Sequence, residues 1–291
     1  MADKVFKTID EQIEILKSRG LTIEDKDEAR RFLLQNNYYR ISGYSLTLRK
    51  NDVFEADTTL RDVADIYNFD HRLRHVLLEN IETIEVRIKS IYAYEFTKAH
   101  GPLGYRDSQF FTDKDKHKEI ISDADRQKQK SLPNEMYLKH FCKLKQEVPL
   151  WAYVDLLTIS KISFLYSISN EDVKRAVSTQ FGLTMNRGPE ILGNYMHSMT
   201  ILRNLCAHGS RIYNRLFEQK PSLNKKERAR LLRMPDGTLD DAHLYGYLLV
   251  MERLLSKSEA IAMEDDIAEI IKDYSSVDLK YYGFPENWKR K

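Results

Sequence analysis

Apolar residues recur along most of the chain at the three- and four-residue spacing of amphipathic helices, whereas alternating apolar and polar runs are scarce. The longest periodic segment extends from Leu60 to about Lys98. Its apolar positions are interleaved with glutamate, arginine and lysine, and they include Leu73, Leu77, Ile81, Ile84, Ile88 and Ile91. The pattern predicts a long core helix, bent near residues 68–70, that ends at Gly101.

The N-terminal segment predicts two shorter helices. Thr8 and Glu11 have the spacing of a capping box, and Gly20 supplies a stop signal for the first helix. A second helix is expected to start near Asp25. The aromatic, glycine-containing segment after it, residues 38–44, predicts a turn or a short extended piece.

The remainder of the chain is also mainly helical in pattern. Helices are predicted near residues 134–146, 151–168, 171–181, 189–207, 211–218, 223–233, 240–256 and 258–273. Residues 112–131 are strongly charged, with little apolar periodicity beyond Ile120-Ile121, and they predict a surface excursion or mobile insert. The aromatic tail, residues 281–288, should dock irregularly onto the body. The predicted fold class is therefore all-α.

Length and composition indicate a globular protein with an ample core. The 291 residues, 42% hydrophobic and 31% charged, suffice for one large or two medium domains. We expect a helical domain over residues 1–220 and a C-terminal helical extension over residues 221–291. This extension either packs as a subdomain or continues the same domain.

The formal net charge of +2 favours no class of partner, but the charges are unevenly distributed. Residues 203–233 hold nine arginines and lysines against two glutamates, whereas residues 236–273 are mainly acidic. This asymmetry indicates either a polyanion-binding face or two oppositely charged helical segments that pack together.

The cysteine content and the length of the apolar runs indicate the cellular compartment. Cys142 and Cys206 cannot build a disulfide framework, and no Cys/His spacing resembles a zinc site. The N terminus lacks the apolar core of a signal peptide, and Lys161 interrupts the longest apolar stretch, residues 156–168. We expect a cytoplasmic protein with no membrane partner and no metal or organic cofactor.

The candidate chemistry lies at the end of one predicted helix, where Arg203, Asn204 and His208 are followed by Arg211 and Arg215. A histidine near neutrality beside fixed positive charge suits RNA transesterification, in which the ribose 2′-hydroxyl attacks the adjacent phosphorus. This reaction requires no metal ion. Because one histidine cannot easily serve as base and acid at once, a homodimer with a composite site is the natural assembly. The same residues could instead cap the helix and bind neighbouring carboxylates.

Helix geometry leaves the position of Arg203 open. On a continuous helix, His197, Asn204, His208, Arg211 and Arg215 would share one stripe. Arg203 would lie about 140° from His208, at about 100° per residue. Either the long arginine side chain curls back, or Gly209 breaks the helix and redirects His208.

Residues 203–215 resemble the signature of the Abi (abortive infection) family, in its AbiD/AbiF-like group, within the HEPN superfamily of helical ribonucleases marked by Arg-x(4–6)-His. Further similarity to this family extends along nearly the whole chain, through residues 12–20, 37–44, 69–74, 84–87 and 283–288. The resemblance implies a HEPN-type helical bundle, here with additional N- and C-terminal helices. It also implies RNA as substrate or bound partner and a role in bacterial defence against phage.

Site residues follow from the same resemblance. Arg203 and His208 would be the catalytic pair, with Asn204 as the polar residue after the arginine. Arg211, Asn214 and Arg215 match the extended motif, where we assign RNA contacts. A companion antitoxin or a restraining RNA is the further partner that such a toxin implies. The alternatives are a non-catalytic RNA-binding protein and a helical protein-interaction module.

Several other residues have less specific interpretations. Tyr38, Tyr39 and Tyr44 could stack on bases, but plugging the core is the favoured interpretation. The pair His71 and His75, beside Arg72 and Arg74, could line an RNA groove, but a solvated helix face is the favoured interpretation. Cys206 is expected to be a small packing residue, since no separate base is placed for it.

Overall fold

The computed structural model describes residues 5–289, and its architecture is all-α, which confirms the predicted fold class. Thirteen α-helices occur in that range: α1 (Ile9–Ser18), α2 (Lys26–Asn36), α3 (Tyr38–Tyr44), α4 (Leu60–His100), α5 (Lys114–Ser131), α6 (Met136–Lys143), α7 (Leu150–Tyr153), α8 (Ile159–Ile168), α9 (Glu171–Gln180), α10 (Gly188–Ala207), α11 (Lys225–Arg228), α12 (Tyr245–Leu254) and α13 (Lys257–Asp273). A two-stranded antiparallel hairpin pairs β1 (Arg49–Lys50) with β2 (Val53–Phe54). Its two turn residues, Asn51 and Asp52, have the positive φ angles that such a tight turn favours.

Helix α4 is the centre of the molecule. It begins with a capping box between Thr59 and Asp62 and ends at Gly101, whose φ of 80° suits glycine. The 41-residue helix is uninterrupted, and α3, α7, α8, α9, α10, α12 and α13 all pack against it. The predicted apolar stripe is fully buried from Leu73 to Ile88 and Ile91 is partly buried, so the long core helix is confirmed, while the bend near residues 68–70 stays a prediction.

The prediction of a turn or extended piece at residues 38–44 is wrong. The segment forms helix α3, which begins where the Asn37 side chain accepts a hydrogen bond from the Tyr39 amide. Ile41 and Tyr44 are buried as α3 packs against α4. Tertiary burial of these two side chains therefore outweighs the weak helix preference of the tyrosines and Gly43.

The prediction of a surface excursion at residues 112–131 is also wrong. This segment is the regular helix α5, capped by Asp113. Its buried residues are His117, Ile120, Ile121 and Ala124, which recur at the spacing of one helix face. In the sequence only the two isoleucines indicate burial, because the other two residues of the buried face are a histidine and an alanine, which are less diagnostic of a core.

Among the predicted helices, one is missing, one is reduced to a single turn and one is divided. The segment predicted as a helix at residues 211–218 is irregular, and from the one near 223–233 only α11 forms. The predicted helix at 151–168 is divided into α7, a 3-10 turn at Val154–Leu156, and α8, which Thr158 caps. Thr158 and Asn224 cap the helices that restart after these interruptions, whereas the amides of residues 212 and 213 are bonded to Asp70 instead of to a helix.

The C-terminal helices pack on the same body as the N-terminal ones. The ion pair Arg87–Glu259, at 2.7 Å, joins α4 to α13, and the Tyr282 hydroxyl donates to Asp70 of α4 at 3.0 Å. These contacts cross the boundary predicted at residue 220, which itself stays a prediction. Across residues 5–289, every helix is too short or too polar to cross a lipid bilayer.

Candidate nucleic-acid site

Helix α10 carries the predicted catalytic residues at its C-terminal end. Its apolar face is buried through Leu192, Met199 and Leu202, so the helix is fixed in the core. Asn204 and His208, one turn apart, are both exposed to solvent. The end of a well-packed helix thus presents an imidazole to the solvent.

Gly209 ends α10 directly after His208. The glycine has φ of 61°, and its N–H donates to the Cys206 carbonyl at 3.0 Å. The Ser210 N–H donates to the Leu205 carbonyl at 2.9 Å, which completes a Schellman motif. Of the two alternatives for this region, the break at Gly209 is observed, but it follows His208, whose own N–H still donates to the Asn204 carbonyl at 3.0 Å. Residues after Gly209 leave the helix, so the predicted stripe of His197, Asn204, His208, Arg211 and Arg215 does not continue past His208.

Residues 208–215, here called the motif loop, are held down by a buried carboxylate. Asp70 of α4 has no exposed surface, and it accepts hydrogen bonds from the loop amides of Tyr213, at 2.8 Å, and Ile212, at 3.3 Å. Its remaining partners come from α3, α4 and the tail, namely the Tyr44 hydroxyl, the Arg74 guanidinium and the Tyr282 hydroxyl. A fully satisfied buried carboxylate of this kind fixes the geometry of the loop.

The hydroxyls of Tyr44 and Tyr282 donate to Asp70, and the Tyr44 hydroxyl also accepts a hydrogen bond from the Arg74 Nη1 at 3.2 Å. Burial, reinforced by the Asp70 carboxylate, raises the pKa of Tyr44 and of Tyr282 above the ordinary tyrosine value. Both hydroxyls therefore stay protonated and donate to the carboxylate. Arg74 adds a hydrogen bond to the Ser210 carbonyl at 3.5 Å, two residues after the candidate catalytic histidine.

The three residues predicted to contact RNA lie together in the motif loop. Arg211 donates to the carbonyls of Tyr213 and Asn214, and the Arg215 Nε donates to the Arg211 carbonyl at 2.8 Å. Asn214 adopts φ of 49° and donates its N–H to the Tyr281 carbonyl of the tail at 2.9 Å. These contacts immobilise the two guanidinium groups, which remain partly exposed.

Arg203 occupies a separate position from His208. Its guanidinium donates to the Asn204 amide oxygen at 3.3 Å and lines a cleft of about 540 Å3 between α4, α5 and α8. The other cations of this cleft are matched, since Lys89 pairs with Glu85 at 2.8 Å and Lys161 with Asp123. Within the described part of the chain, no hydrogen bond joins Arg203 to His208.

The arginines near the motif loop lack neutralising carboxylates. Arg40, Arg203, Arg211 and Arg215 have no carboxylate oxygen within 4.0 Å among residues 5–289. In the downstream basic segment, Lys220 pairs with Asp241 at 2.6 Å and Arg230 with Glu252 at 2.6 Å, and Arg228 lies 3.8 Å from Asp241. Pairing between the basic and acidic segments is therefore observed in part, and the polyanion-binding face stays a prediction.

Several lesser predictions are settled by burial. Cys206 is buried, and this burial raises the pKa of its thiol to about 12, which fits a packing residue. His71 and His75 are exposed, as expected, with their Nε2 atoms 3.3 Å apart. The tyrosine cluster divides: Tyr44 is a core residue, whereas Tyr39 is 68% exposed.

Sequence spacing did not assign a role to Arg40, Asp70 or Arg74. The signal for two of them was nevertheless present. Asp70 and Arg74 lie one turn apart on the same stripe as the buried Leu73 and Leu77 of α4. A charged pair on an apolar helix face indicates a buried polar site, whereas Arg40 has no comparable signal.

Comparison with known proteins places these features in one matched region. A family model described as "Abi-like protein" matches residues 31–214, more than half of the chain. The matched region contains α3, the Asp70–Arg74 pair and α10, and it ends inside the motif loop. No curated protein and no solved structure matches the chain.

Proposed function

The chain belongs to the Abi-like protein family, and membership of this family suggests a role in abortive-infection defence against phage. On that premise, we propose that the protein is a metal-independent endoribonuclease. One observation carries the proposal. His208 is an exposed imidazole at the end of α10, beside a loop that Asp70 fixes and near arginines that lack carboxylate partners. Positive charge beside a proton-transfer group is what phosphodiester transfer requires.

In the proposed reaction, His208 transfers the proton. The imidazole takes the proton of the ribose 2′-hydroxyl, and the 2′-oxygen attacks the adjacent phosphorus. The bond from phosphorus to the 5′-oxygen breaks, and that oxygen leaves with a proton from an acid. The products carry a 2′,3′-cyclic phosphate and a 5′-hydroxyl. Histidine suits this step because both of its protonation states are available near neutral pH.

The neighbouring polar residues have charge-stabilising roles in this proposal. Arg203 and the Asn204 amide stabilise negative charge on the phosphoryl oxygens of the transition state. Arg211, Asn214 and Arg215 bind phosphates of the RNA on either side. The backbone contacts of Arg211 and Arg215 support this assignment, because an immobilised guanidinium loses little entropy on binding.

A homodimer would supply the second proton-transfer group. Each chain contributes a single His208 at this position, and the reaction needs a base and an acid at the same phosphate. A two-fold axis that brings two α10 ends together would place two such histidines in one composite site. The exposure of Asn204 and His208 supports this arrangement, since their surface is available to a second copy.

The test is RNA cleavage in the presence of EDTA. Wild-type protein should yield 2′,3′-cyclic phosphate ends and leave an analogue without the 2′-hydroxyl intact. His208→Ala should lower the rate by about 10²–10⁴-fold. His140→Ala, which removes an exposed histidine of α6, is the matched control and should retain full activity. Undiminished cleavage by His208→Ala would contradict the proposal.

The second candidate is an RNA-binding protein that does not cut. Arg203 lines the cleft beside α5 rather than contacting His208, which favours this alternative. In that case His208→Ala keeps its affinity, binding falls steeply with salt, and wild type yields no cleaved ends. Sequencing the RNA that copurifies with wild type and with His208→Ala, including its end chemistry, separates substrate from bound or restraining RNA. A copurifying protein would instead indicate an antitoxin.

A further inference from the structure

Helix α3 lies directly against the motif loop. The Arg40 Nη1 of α3 donates to the Gly209 carbonyl at 2.7 Å, one residue after His208. Gly43 faces the Arg211 side chain so closely that a Cβ there would lie 3.3 Å from the arginine Nε. Helix α3 and the motif loop therefore form one continuous surface around the end of α10.

Arg40 has hydrogen-bonding capacity left over on this surface. Its side chain is exposed, and a single carbonyl accepts one of the five N–H groups of the guanidinium. Among the residues that the structure describes, no carboxylate lies within 4.0 Å of it. The contact with Gly209 fixes the cation beside His208, where it can bind an anion in a defined position.

Tyr39, the neighbour of Arg40 on α3, presents an aromatic ring to solvent. Its side chain is 68% exposed, and the ring meets that of Tyr38 edge to face, with centroids 5.8 Å apart. Arg19 in turn donates to the Tyr38 hydroxyl at 3.4 Å. The edge-to-face contact with Tyr38 restricts the Tyr39 side chain, so little side-chain entropy is lost when a flat group stacks on its ring.

We infer, on the premise of the proposed RNA site, that α3 forms a second wall of this site and that its ligand is single-stranded RNA. Arg40 binds a phosphate next to the one that reacts, and Tyr39 stacks on an unpaired base. Only an unpaired base can do this, because a base in a duplex is already stacked on both faces. The combination of fixed cation and exposed ring is the usual chemistry of single-strand recognition.

The experiment measures affinity by fluorescence anisotropy with full-length His208→Ala protein, which should not cut its ligand. The two probes are one labelled RNA, single-stranded and annealed to its complement. Single-stranded RNA should bind at least about tenfold more tightly. Tyr39→Ala should weaken that binding by about tenfold, and Tyr39→Phe should restore it, because base stacking needs the ring and not the hydroxyl.

Arg40→Gln tests the phosphate contact separately, since it removes the positive charge and keeps a polar side chain. It should weaken binding to every single-stranded sequence alike and reduce the slope of log affinity against log salt by about 0.7. The matched controls are Tyr94→Ala, which removes a 65% exposed tyrosine of α4, and Arg175→Gln, at an exposed arginine of α9. Both should leave affinity unchanged.

Two results would overturn this inference while the ribonuclease proposal stands. One is equal affinity for the single strand and the duplex, and the other is a Tyr39→Ala protein that binds like Tyr94→Ala. Circular dichroism spectra of the variants should match, since the replaced side chains are exposed. Failure of both RNAs to bind would contradict the inference and the proposed function together.

Discussion

A single carboxylate, that of Asp70, determines the path of the chain after the candidate catalytic histidine. It is fully buried, and its donors come from four separate parts of the sequence. Such a charge is tolerated only when donors surround it, because an unpartnered buried carboxylate costs several kcal/mol. Its position on the apolar stripe of α4 could be read from the sequence, but its contact with residues 212 and 213 could not.

Asp70→Asn should destabilise the protein by about 3–5 kcal/mol, because it leaves the buried Arg74 without its counter-charge. The measurement is urea-induced unfolding at neutral pH. Asp172→Asn, at an exposed position of α9, is the control and should change the free energy of unfolding by less than about 0.5 kcal/mol. A loss below about 1 kcal/mol for Asp70→Asn would show that the pair is not essential to the fold.

At the level of helices, local caps mark the ends of several elements. α10 stops at a Schellman motif built on Gly209, and α13 starts at a capping box in which Ser256 and Glu259 bond each other's backbone amides. The glycine stop and the serine-glutamate spacing are both visible in the sequence. The same sequence does not show that Arg87 of α4 reaches Glu259, with two bonds of 2.9 and 2.7 Å.

The contact between Arg87 of α4 and Glu259 of α13 should make the free energy of unfolding depend on pH in the acidic range. The Arg87 hydrogen bonds and the Ser256 amide lower the pKa of Glu259 from 4.5 to about 2. The carboxylate is therefore more acidic when folded, so its stabilisation is complete above about pH 4.5 and is lost as the pH falls towards 2.

Glu259→Gln should accordingly lower the free energy of unfolding by at most about 1 kcal/mol at pH 7, since the pair is partly exposed to solvent. The deficit should shrink as the pH falls below 4.5 and vanish near pH 2, in urea titrations at each pH. Glu269→Gln, an exposed glutamate on the same helix, should follow wild type throughout. A deficit that stays constant with pH would contradict the assignment.

For the molecule as a whole, the arrangement of charge matters more than its sum. The net charge is only +2, yet Arg40, Arg203, Arg211 and Arg215 near the end of α10 have no carboxylate partner among residues 5–289, whereas Lys220 and Arg230 downstream do. Such a local positive field attracts a polyanion without requiring a basic protein. Because each chain contributes a single His208 near these arginines, the number of chains that form one site decides whether both a base and an acid are available.

Mixed dimers of wild-type and His208→Ala chains test whether one site needs His208 from both chains. If each site needs His208 from both chains, an equal mixture of wild-type and His208→Ala chains should retain about one quarter of the activity, because only wild-type homodimers act. Independent sites would retain about one half. The chains should be coexpressed with two different tags, and their ratio checked by mass spectrometry. A value of one half would contradict the composite site and leave the single-chain reaction intact.

The sequence by itself determined the all-α class, the long core helix, the capping box of Thr8 and Glu11, and the glycine stop at Gly101. These follow from local spacing, which a helix converts directly into a face or a stop. Only the tertiary structure decided that residues 38–44 and 112–131 are helical and that 211–218 are not. Burial of Tyr44 and His117, and capture of loop amides by Asp70, join residues far apart in the chain. Distant contacts of this kind leave no spacing in the sequence, and they also bring Arg40 beside His208.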